Sequence, residues 1–215
     1  MKKLIIIPVS LMAISFTSLG QKGNMTFFGD PILTDTSSTI FIPTRYSQEF
    51  SSSNKIAFWG DYYANFVIYN FEEDVYKKLF DKDVFIESFG ARQYFSLQNG
   101  QKPKSKNITS NWVFLLVKIE DSNRSGRIDE KDASVLFAVS NKGKNLQQLT
   151  TTNENVISLE NFEAQGFILI RIQKDTNDDR SFKSSDDKEY YFRKVNLSDL
   201  SFGNPIELWH VYLKI

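Results

Sequence analysis

The fold follows from one stretch of the sequence, Trp112-Val113-Phe114-Leu115-Leu116-Val117-Lys118-Ile119-Glu120-Asp121. The stretch has the length of a strand, is rich in β-branched and aromatic residues, and ends in polar residues, which is the pattern of a β-strand. Its centre is continuously apolar, as expected for a strand that is covered on both faces. Its end, Val117-Lys118-Ile119-Glu120, alternates as a half-buried strand does.

Comparable stretches divide the chain into three repeats of about 38–80, 83–150 and 155–206. In each repeat a short strand-like run precedes an apolar run that ends in Asp, and a further strand, a polar turn and a final apolar pair follow. The three apolar runs are residues 55–61, 112–121 and 167–175. Four short strands per repeat and little helix predict an all-β fold of antiparallel four-stranded repeats. Residues 72–80 could form a helical turn, but their place in the repeat favours a hairpin.

The second repeat contains the stretch Val135-Leu136-Phe137-Ala138-Val139-Ser140-Asn141-Lys142-Gly143-Lys144-Asn145-Leu146-Gln147-Gln148-Leu149-Thr150. A strand, a small polar turn with a glycine, and an L-x-x-L-T strand follow each other there. This order resembles the blade signature of TolB-type, WD40-like β-propellers. The resemblance implies a propeller-like or partial propeller fold and a binding role more often than catalysis. Three repeats and a C-terminal strand at 207–215 fall short of the roughly four to eight blades of propellers, so a β-sandwich is the alternative.

The second and third repeats each insert a polar loop at the terminal Asp, loop A (residues 121–132) and loop B (residues 175–186). Both loops resemble the calcium loops of EF-hands, dockerins and calcium-bearing propeller blades. Oxygen-bearing side chains stand at loop positions one, three, five and twelve, and an apolar residue stands at position eight. Calcium takes about six to eight oxygen ligands, and a tightly coiled loop directs alternate side chains and one carbonyl to one point.

This resemblance implies a structural Ca²⁺ ion in each loop. In loop A the implied ligands are Asp121, Asn123, Ser125, the carbonyl of Arg127, and Asp132. In loop B they are Asp175, Asn177, Asp179, the carbonyl of Ser181, and Asp186. Gly126 supplies the sharp turn of loop A, Asp129 is expected to hold a water, and Ile128 and Phe182 are the apolar residues of the two loops.

Three features of the loops depart from the calcium pattern. Position twelve is Asp rather than Glu in both loops, Ser125 is a weak neutral ligand, and Arg180 stands where loop A has Gly126. A side chain at that position disfavours the turn that glycine allows. Two solvated acidic turns are the alternative, because Asp, Asn and Ser are common in turns.

The N-terminus predicts export. A short basic start, Met1-Lys2-Lys3, precedes an apolar run and the small residues Ser18 and Gly20. This is typical of a secretory signal peptide at 1–20, which leaves one domain at 21–215 that is secreted or periplasmic and has no membrane span. A membrane anchor is the alternative, weakened by Pro8 and several hydroxyl residues. The chain has no Cys, so we expect stability from a core or bound ions rather than from disulfides.

The charge and composition of the chain argue against several classes of function. The chain has 26 basic and 26 acidic residues, which argues against a nucleic-acid partner. With no Cys and one histidine, His210, thiol chemistry and zinc clusters are excluded and no catalytic residue is predicted. The expected function is non-catalytic binding or scaffolding, with a protein or glycan partner in the cell envelope. The alternative is a carbohydrate-active or other hydrolase, which would need two carboxylates about 5–10 Å apart in a cleft.

Overall fold

Two antiparallel β-sheets make up the described part of the chain. The structure, a computed structural model, describes residues 26–33, 38–46, 63–89, 111–182 and 189–207. Within these ranges one sheet has nine strands and the other has three. A short 3₁₀ helix, Glu163–Gln165, connects two strands of the smaller sheet. The prediction of an all-β, antiparallel fold is confirmed.

The strands follow one another along the chain in nearly the same order as in the sheets. The larger sheet contains β1 (Thr26–Phe28), β2 (Ile32–Leu33), β3 (Thr39–Tyr46), β4 (Tyr63–Asn70), β5 (Val75–Lys78), β6 (Phe85–Phe89), β7 (Trp112–Lys118), β8 (Val135–Ser140) and β9 (Gln147–Gln148). Its order is β1-β3-β4-β6-β7-β8-β9, with β2 beside β3 and β5 beside β4. The smaller sheet is β10 (Glu154–Phe162), β11 (Phe167–Lys174) and β12 (Tyr190–Asn196), in that order.

The strands fall on the runs that define the three sequence repeats. The second repeat supplies β6 to β9, and the third supplies β10 to β12 together with a bridge between Phe192 and Ile206. The first and second repeats share one sheet because Tyr63 of β4 pairs with Ile86 of β6. The described strands do not close into a ring of blades. Their arrangement is compatible with a sandwich-like fold and with a partial propeller.

Strands β7 and β8 lie at the centre of the core and are covered on both faces, as the apolar centre of β7 predicts. Val113, Leu115 and Val117 belong to one core cluster, and Phe114 and Leu116 belong to another. The first cluster continues with Phe41, Phe66, Ile68, Leu79, Phe80, Val84, Ile86 and Phe89 from β3 to β6. The second continues with Val156, Leu159, Ile168, Ile170, Ile172, Tyr191, Val195 and Leu200 from the smaller sheet and its loops. Each large side chain buried in this way contributes roughly 1.5–3 kcal/mol of transfer free energy.

A buried asparagine, Asn65, stabilises the break between β5 and β6. The chain leaves the edge of β4 there, and Asn65 binds the backbone groups that this break frees. Its Nδ2 donates to the carbonyls of Phe80 and Lys82 at 2.9 and 3.1 Å. Its Oδ1 accepts from the N–H groups of Phe80 and Phe66 at 3.0 and 2.9 Å. Because buried backbone polar groups need partners, this one side chain allows the strand to be interrupted inside the core.

The hairpin predicted for residues 72–80 is confirmed. Residues 71–74 form the turn, and β5 pairs with β4 after it. Asn70 Oδ1 accepts hydrogen bonds from the N–H groups of Glu72 and Glu73 at 3.0 and 3.2 Å. These local bonds from a side chain to the backbone compete with a helical turn, and they explain why the segment turns instead.

Several predicted features lie outside the described residues. They are the signal peptide at 1–20, the apolar run 55–61, Asp186, and residues 208–215 with His210. Within the part of the chain that the structure describes, no helix has both the length and the apolar character needed to cross a membrane.

Candidate metal centre

Loop A follows β7 and coils around the backbone of Ser125. The N–H of Ser125 lies 2.9 Å from both Asp121 Oδ1 and Asn123 Oδ1, and donates to both. The N–H of Gly126 donates to Asp121 Oδ2 at 2.7 Å. Positive φ angles of 59° at Arg124 and 95° at Gly126 produce this tight coil. Side chains at positions one and three of the loop are therefore held toward one point.

Two further oxygens of loop A belong to the same group. Ser125 Oγ lies 3.5 Å from Asp121 Oδ1 and donates to the carbonyl of Arg127 at 3.0 Å. Four of the five predicted ligand positions, Asp121, Asn123, Ser125 and the carbonyl of Arg127, are thus brought together. The group contains one carboxylate, one amide, one hydroxyl and one carbonyl, which are the hard oxygen donors that Ca²⁺ takes.

Asp132, the fifth predicted ligand, is completely buried and is held by loop A itself. Its Oδ1 accepts from the N–H groups of Ser122 and Asn123 at 2.7 and 3.2 Å, and its Oδ2 accepts from the N–H of Asp129 at 2.6 Å. Asn123 connects Asp132 to the oxygen atoms around Ser125. Its N–H donates to Asp132 Oδ1, and its own Oδ1 accepts from the N–H of Ser125. Burial raises the pKa of Asp132 above its ordinary value, although the hydrogen bonds from Asp129, Asn123 and Ser122 act in the opposite direction.

The apolar residues at position eight lie where the sequence predicts. Ile128 packs against the core cluster of Tyr46, Ala64 and Phe85. Phe182 is 6% exposed in loop B. Asp129, expected to hold a water, is itself buried and accepts a hydrogen bond from the N–H of Lys131 at 2.9 Å.

Loop B repeats two of the three hydrogen bonds from backbone N–H groups to side chains that form the coil of loop A. The N–H of Arg180 donates to Asp175 Oδ2 at 2.9 Å, as Gly126 donates to Asp121. The N–H of Asp179 donates to Asn177 Oδ1 at 3.1 Å, as Ser125 donates to Asn123. The φ angles are 58° at Asp178 and 56° at Arg180, so Arg180 adopts the left-handed turn that its side chain disfavours. Ser181 donates its N–H to Asp179 Oδ1 at 2.7 Å.

The Oδ1 atom of Asp175, the first predicted ligand of loop B, differs from Asp121 Oδ1 in loop A, which accepts from the N–H of Ser125. Asp175 Oδ1 is buried and has no hydrogen-bond partner in the described part of the structure. A charged oxygen that is removed from water without a partner costs at least about 1–3 kcal/mol. A positive charge close to this oxygen would offset that cost.

The two loops contact each other directly. Ser122 Oγ lies 3.1 Å from the carbonyl oxygen of Arg180. The N–H of Phe182 donates to the carbonyl of Lys131 at 2.7 Å. These bonds join segments from different repeats and different sheets, so sequence spacing gives no sign of them.

A buried lysine, which the sequence does not reveal, anchors the end of loop A. The alternating stretch Val117-Lys118-Ile119-Glu120 gives no sign of a buried lysine, but Lys118 is 2% exposed. Its Nζ donates to the backbone carbonyl of Asp132 and to Ser134 Oγ, the latter at 2.9 Å, and lies 3.4 Å from Glu87 Oε1. Ser134 Oγ also donates to Glu87 Oε2. These three partners offset the cost of removing the charge of Lys118 from water.

A shallow cavity of about 380 Å³ lies beside loop B and is lined by residues including Glu154, Lys174, Asp175, Tyr191 and Glu207. Tyr191 Oη donates to Glu154 Oε1, and Lys174 Nζ lies 3.0 Å from Glu207 Oε1. Burial, followed by the hydrogen bond to Glu154, raises the pKa of Tyr191 well above its ordinary value. Two of the carboxylates are therefore engaged with neighbouring side chains.

Within the described ranges, no three His, Cys, Asp or Glu side chains converge as a metal-binding group. The oxygen groups of the two loops are mixed sets instead, with Asp186 of loop B outside these ranges. No protein-family model matches the chain, and comparison with curated proteins and with solved structures gave no significant match.

Proposed function

We propose that this chain is an exported, non-catalytic binding or scaffold protein whose β-repeats are stabilised by Ca²⁺ ions in loops A and B. The role of the ion is structural. It fixes the polar turns at 124–127 and 176–180, whose residues are exposed. The observation that carries the proposal is the buried oxygen Asp175 Oδ1, which has no hydrogen-bond partner among the described residues.

The electrostatics of both loops favour a bound cation. In loop B a cation would supply the positive charge that Asp175 Oδ1 lacks. In loop A a cation close to Asp132 would offset the burial that raises the pKa of this carboxyl, since an opposite charge stabilises the ionised form. Asp175 is the first predicted ligand of loop B, and Asp132 is the last predicted ligand of loop A. An ion bound to these residues would connect the beginning of each loop to its end.

The ligand types favour calcium over other cations. The donors are carboxylate, amide, hydroxyl and carbonyl oxygens, without histidine or thiolate, so a hard cation is preferred. Neutral donors such as Ser125 and Asn123 and the exposed position of the loops favour a weak, flexible site. We expect dissociation constants on the order of 10⁻⁴–10⁻³ M, as in extracellular modules.

Calcium-dependent thermal unfolding of the full chain tests this proposal. At about 10 mM calcium, each loop of this affinity raises the free energy of unfolding by roughly 1.4–2.7 kcal/mol. For a chain of this size this corresponds to an increase in Tm of about 3–10 °C per loop. Magnesium at the same concentration should give a smaller increase, because it requires a tighter octahedral site.

Matched variants separate cation binding from loop packing. Asp121→Asn and Asp175→Asn keep the size of each side chain, and each should remove about half of the calcium-dependent increase in Tm. Asp199→Asn is the control, because Asp199 also accepts from a backbone N–H, that of Ser201 at 3.0 Å, but in an ordinary turn. If calcium fails to raise the Tm of the unsubstituted chain, the proposed ion sites are refuted.

The export part of the proposal rests on the N-terminal sequence. The basic start, apolar run and small residues before Gln21 favour cleavage after Gly20. N-terminal sequencing of the protein recovered outside the cytoplasm should begin at Gln21. Recovery of an intact Met1 in the membrane fraction would favour an anchor instead. A protein or glycan of the cell envelope is the expected partner, and cross-linking in the producing cell would identify it.

The cavity beside loop B favours a second candidate, a carbohydrate-active or other hydrolase. Glu154 and Glu207 line it, and a glycosidase needs two carboxylates at a cleft. Their bonds to Tyr191 and Lys174 favour structural roles for both. Glycan hydrolysis by the unsubstituted chain, lost in both Glu154→Gln and Glu207→Gln, would support the hydrolase and contradict the non-catalytic proposal.

A further inference from the structure

A row of large side chains crosses one face of the nine-stranded sheet at its β2–β5 end. Leu33 of β2 pairs with Ile40 of β3. Ile40 pairs in turn with Tyr69 of β4, and Tyr69 pairs with Tyr76 of β5. Directly paired residues lie on the same face of a sheet, so these four side chains form one continuous row, the β2–β5 row. Leu33 is 58% exposed and Tyr76 is 78% exposed, while the two central residues are partly exposed.

The same face of the sheet is covered along the rest of its width. Ile40 and Tyr46 of β3 share a face, because alternate residues of a strand point to the same side. Tyr46 packs with Phe85 in a core cluster that the apolar residue of loop A covers. Phe85 pairs with Lys118 of β7, which shares a face with Leu116, and the smaller sheet covers Leu116. A sheet buries its apolar face against another element, and the β2–β5 row is the part of this face that the described elements leave exposed.

Charges of opposite sign stand at the two ends of β5 on this face. Lys78 lies two residues after Tyr76 in the strand, so both point to one side. Asp74 lies two residues before Tyr76, and the hydroxyl of Tyr69 donates to its Oδ1 at 3.0 Å, which holds the carboxylate beside the row. Asp74 is exposed, and the side chain of Lys78 is 62% exposed, 3.9 Å from Asp83. A carboxylate, a tyrosine and an ammonium group therefore follow one another at intervals of roughly 7 Å.

This order of charges is complementary to itself. If two copies of β5 face each other across a two-fold axis at Tyr76, Asp74 of each copy lies opposite Lys78 of the other copy. A two-fold interface uses the same patch on both subunits, so the patch must be self-complementary. A different protein or a lipid surface does not require opposite charges at equal distances from one residue, whereas a second copy does.

We propose that the β2–β5 row is the interface of a two-fold homodimer, in which a second copy of this chain covers the row. The two rows pack against each other as the faces of stacked sheets do. The pairs between Asp74 and Lys78, one at each end of the interface, fix the antiparallel orientation of the two β5 strands. Tyr76 lies at the centre, where aromatic side chains contribute most to binding.

Sedimentation velocity of the full chain over a range of concentrations tests the dimer. The patch is small, so we expect a monomer–dimer equilibrium with a dissociation constant on the order of 1–100 µM. We expect no larger species, because a two-fold interface closes on itself. Tyr76→Ser removes the central ring and should raise the dissociation constant at least about tenfold.

Charge reversal at the two ends of β5 tests the orientation. Asp74→Lys and Lys78→Asp each place like charges opposite each other in both pairs, and each should raise the dissociation constant at least about tenfold. An equimolar mixture of the two variants should dimerise as the unsubstituted chain does, because every pair then joins opposite charges. Asp199→Lys is the matched control and should leave the dimer unchanged, since Asp199 is also exposed and accepts from a hydroxyl, that of Ser201 at 2.7 Å.

The association state of the unsubstituted chain decides first. A chain that stays monomeric throughout the concentration range overturns the proposal and leaves the row to a different protein or to a lipid surface. Oligomers larger than a dimer contradict a closed two-fold interface and overturn it as well.

The variants then locate the interface. A dimer that neither charge reversal weakens is formed elsewhere on the molecule, which overturns the proposal. So does a mixture that stays monomeric although far-UV circular dichroism shows both variants folded. If a charge-reversed variant does not fold, Tyr76→Ser tests the same face, and an unchanged dissociation constant in that variant counts against it.

Discussion

Gly143 and Ile68 are in direct contact across two repeats, and a Cβ atom placed on Gly143 would lie 2.2 Å from Cγ2 of Ile68. Gly143 also has a φ angle of +66°, which favours glycine. Gly143→Ala should therefore lower the free energy of unfolding by about 1–2 kcal/mol through the backbone and by about 1–3 kcal/mol more through overpacking. Urea unfolding monitored by tryptophan fluorescence measures the sum.

Gly166→Ala is the control for the backbone contribution. Gly166 has a φ angle of +78°, and no atom lies within 4 Å of the Cβ position. Its substitution should cost only the backbone part, about 1–2 kcal/mol. Equal losses in the two variants would show that the contact with Ile68 relaxes without cost.

Asn65→Ala should destabilise the protein more than most substitutions of a polar residue. Asn65 is fully buried and its side chain makes four hydrogen bonds to backbone groups at the break between β5 and β6. Its loss leaves buried donors and acceptors without partners, and we expect a decrease of about 3–5 kcal/mol in the free energy of unfolding. Asn70→Ala is the control, because Asn70 binds two exposed N–H groups in a turn. A similar small loss in both variants would contradict the role of Asn65.

The sequence predicts the sheets better than it predicts the contacts between them. Continuous apolar residues at the centre of β7 require cover on both faces, and the structure provides it. The spacing of the oxygen side chains also predicts the coil of loop A, because local bonds such as that from Gly126 to Asp121 span only a few residues. The burial of Lys118 depends on Glu87, a residue distant in sequence whose pairing no local pattern encodes.

Tyr46 should make the protein less stable at alkaline pH. Its Oη donates to the carbonyl of Val84 at 2.9 Å, and burial, followed by the nearby Asp83, raises its pKa well above the ordinary value. Above pH ~10 the unfolded chain releases the tyrosine proton while the folded chain retains it. The free energy of unfolding therefore falls as pH rises, by up to roughly 1.4 kcal/mol per pH unit for this residue.

Tyr46→Phe should reduce this alkaline slope and cost about 1 kcal/mol at neutral pH through the lost hydrogen bond. Part of the slope should remain, because burial also raises the pKa of Tyr191. Tyr76→Phe is the control, since Tyr76 is 78% exposed. Urea unfolding at a series of pH values measures the slopes, and identical slopes for the unsubstituted chain and Tyr46→Phe would contradict the prediction.

Lys118→Met should lower the free energy of unfolding by about 2–4 kcal/mol, because breaking a buried ion pair leaves an uncompensated charge. Lys118 lies 3.4 Å from Glu87, and their side chains are 3% and 18% exposed. Adding Glu87→Gln to Lys118→Met should restore part of the loss, since the unpaired carboxylate is then removed. Lys78→Met is the matched control, because the pair of Lys78 and Asp83 is 3.9 Å long with side chains 62% and 31% exposed, and it should cost less than about 1 kcal/mol. Equal losses for the two lysine variants in urea unfolding would mean that the buried pair of Lys118 and Glu87 contributes no more to stability than an exposed pair.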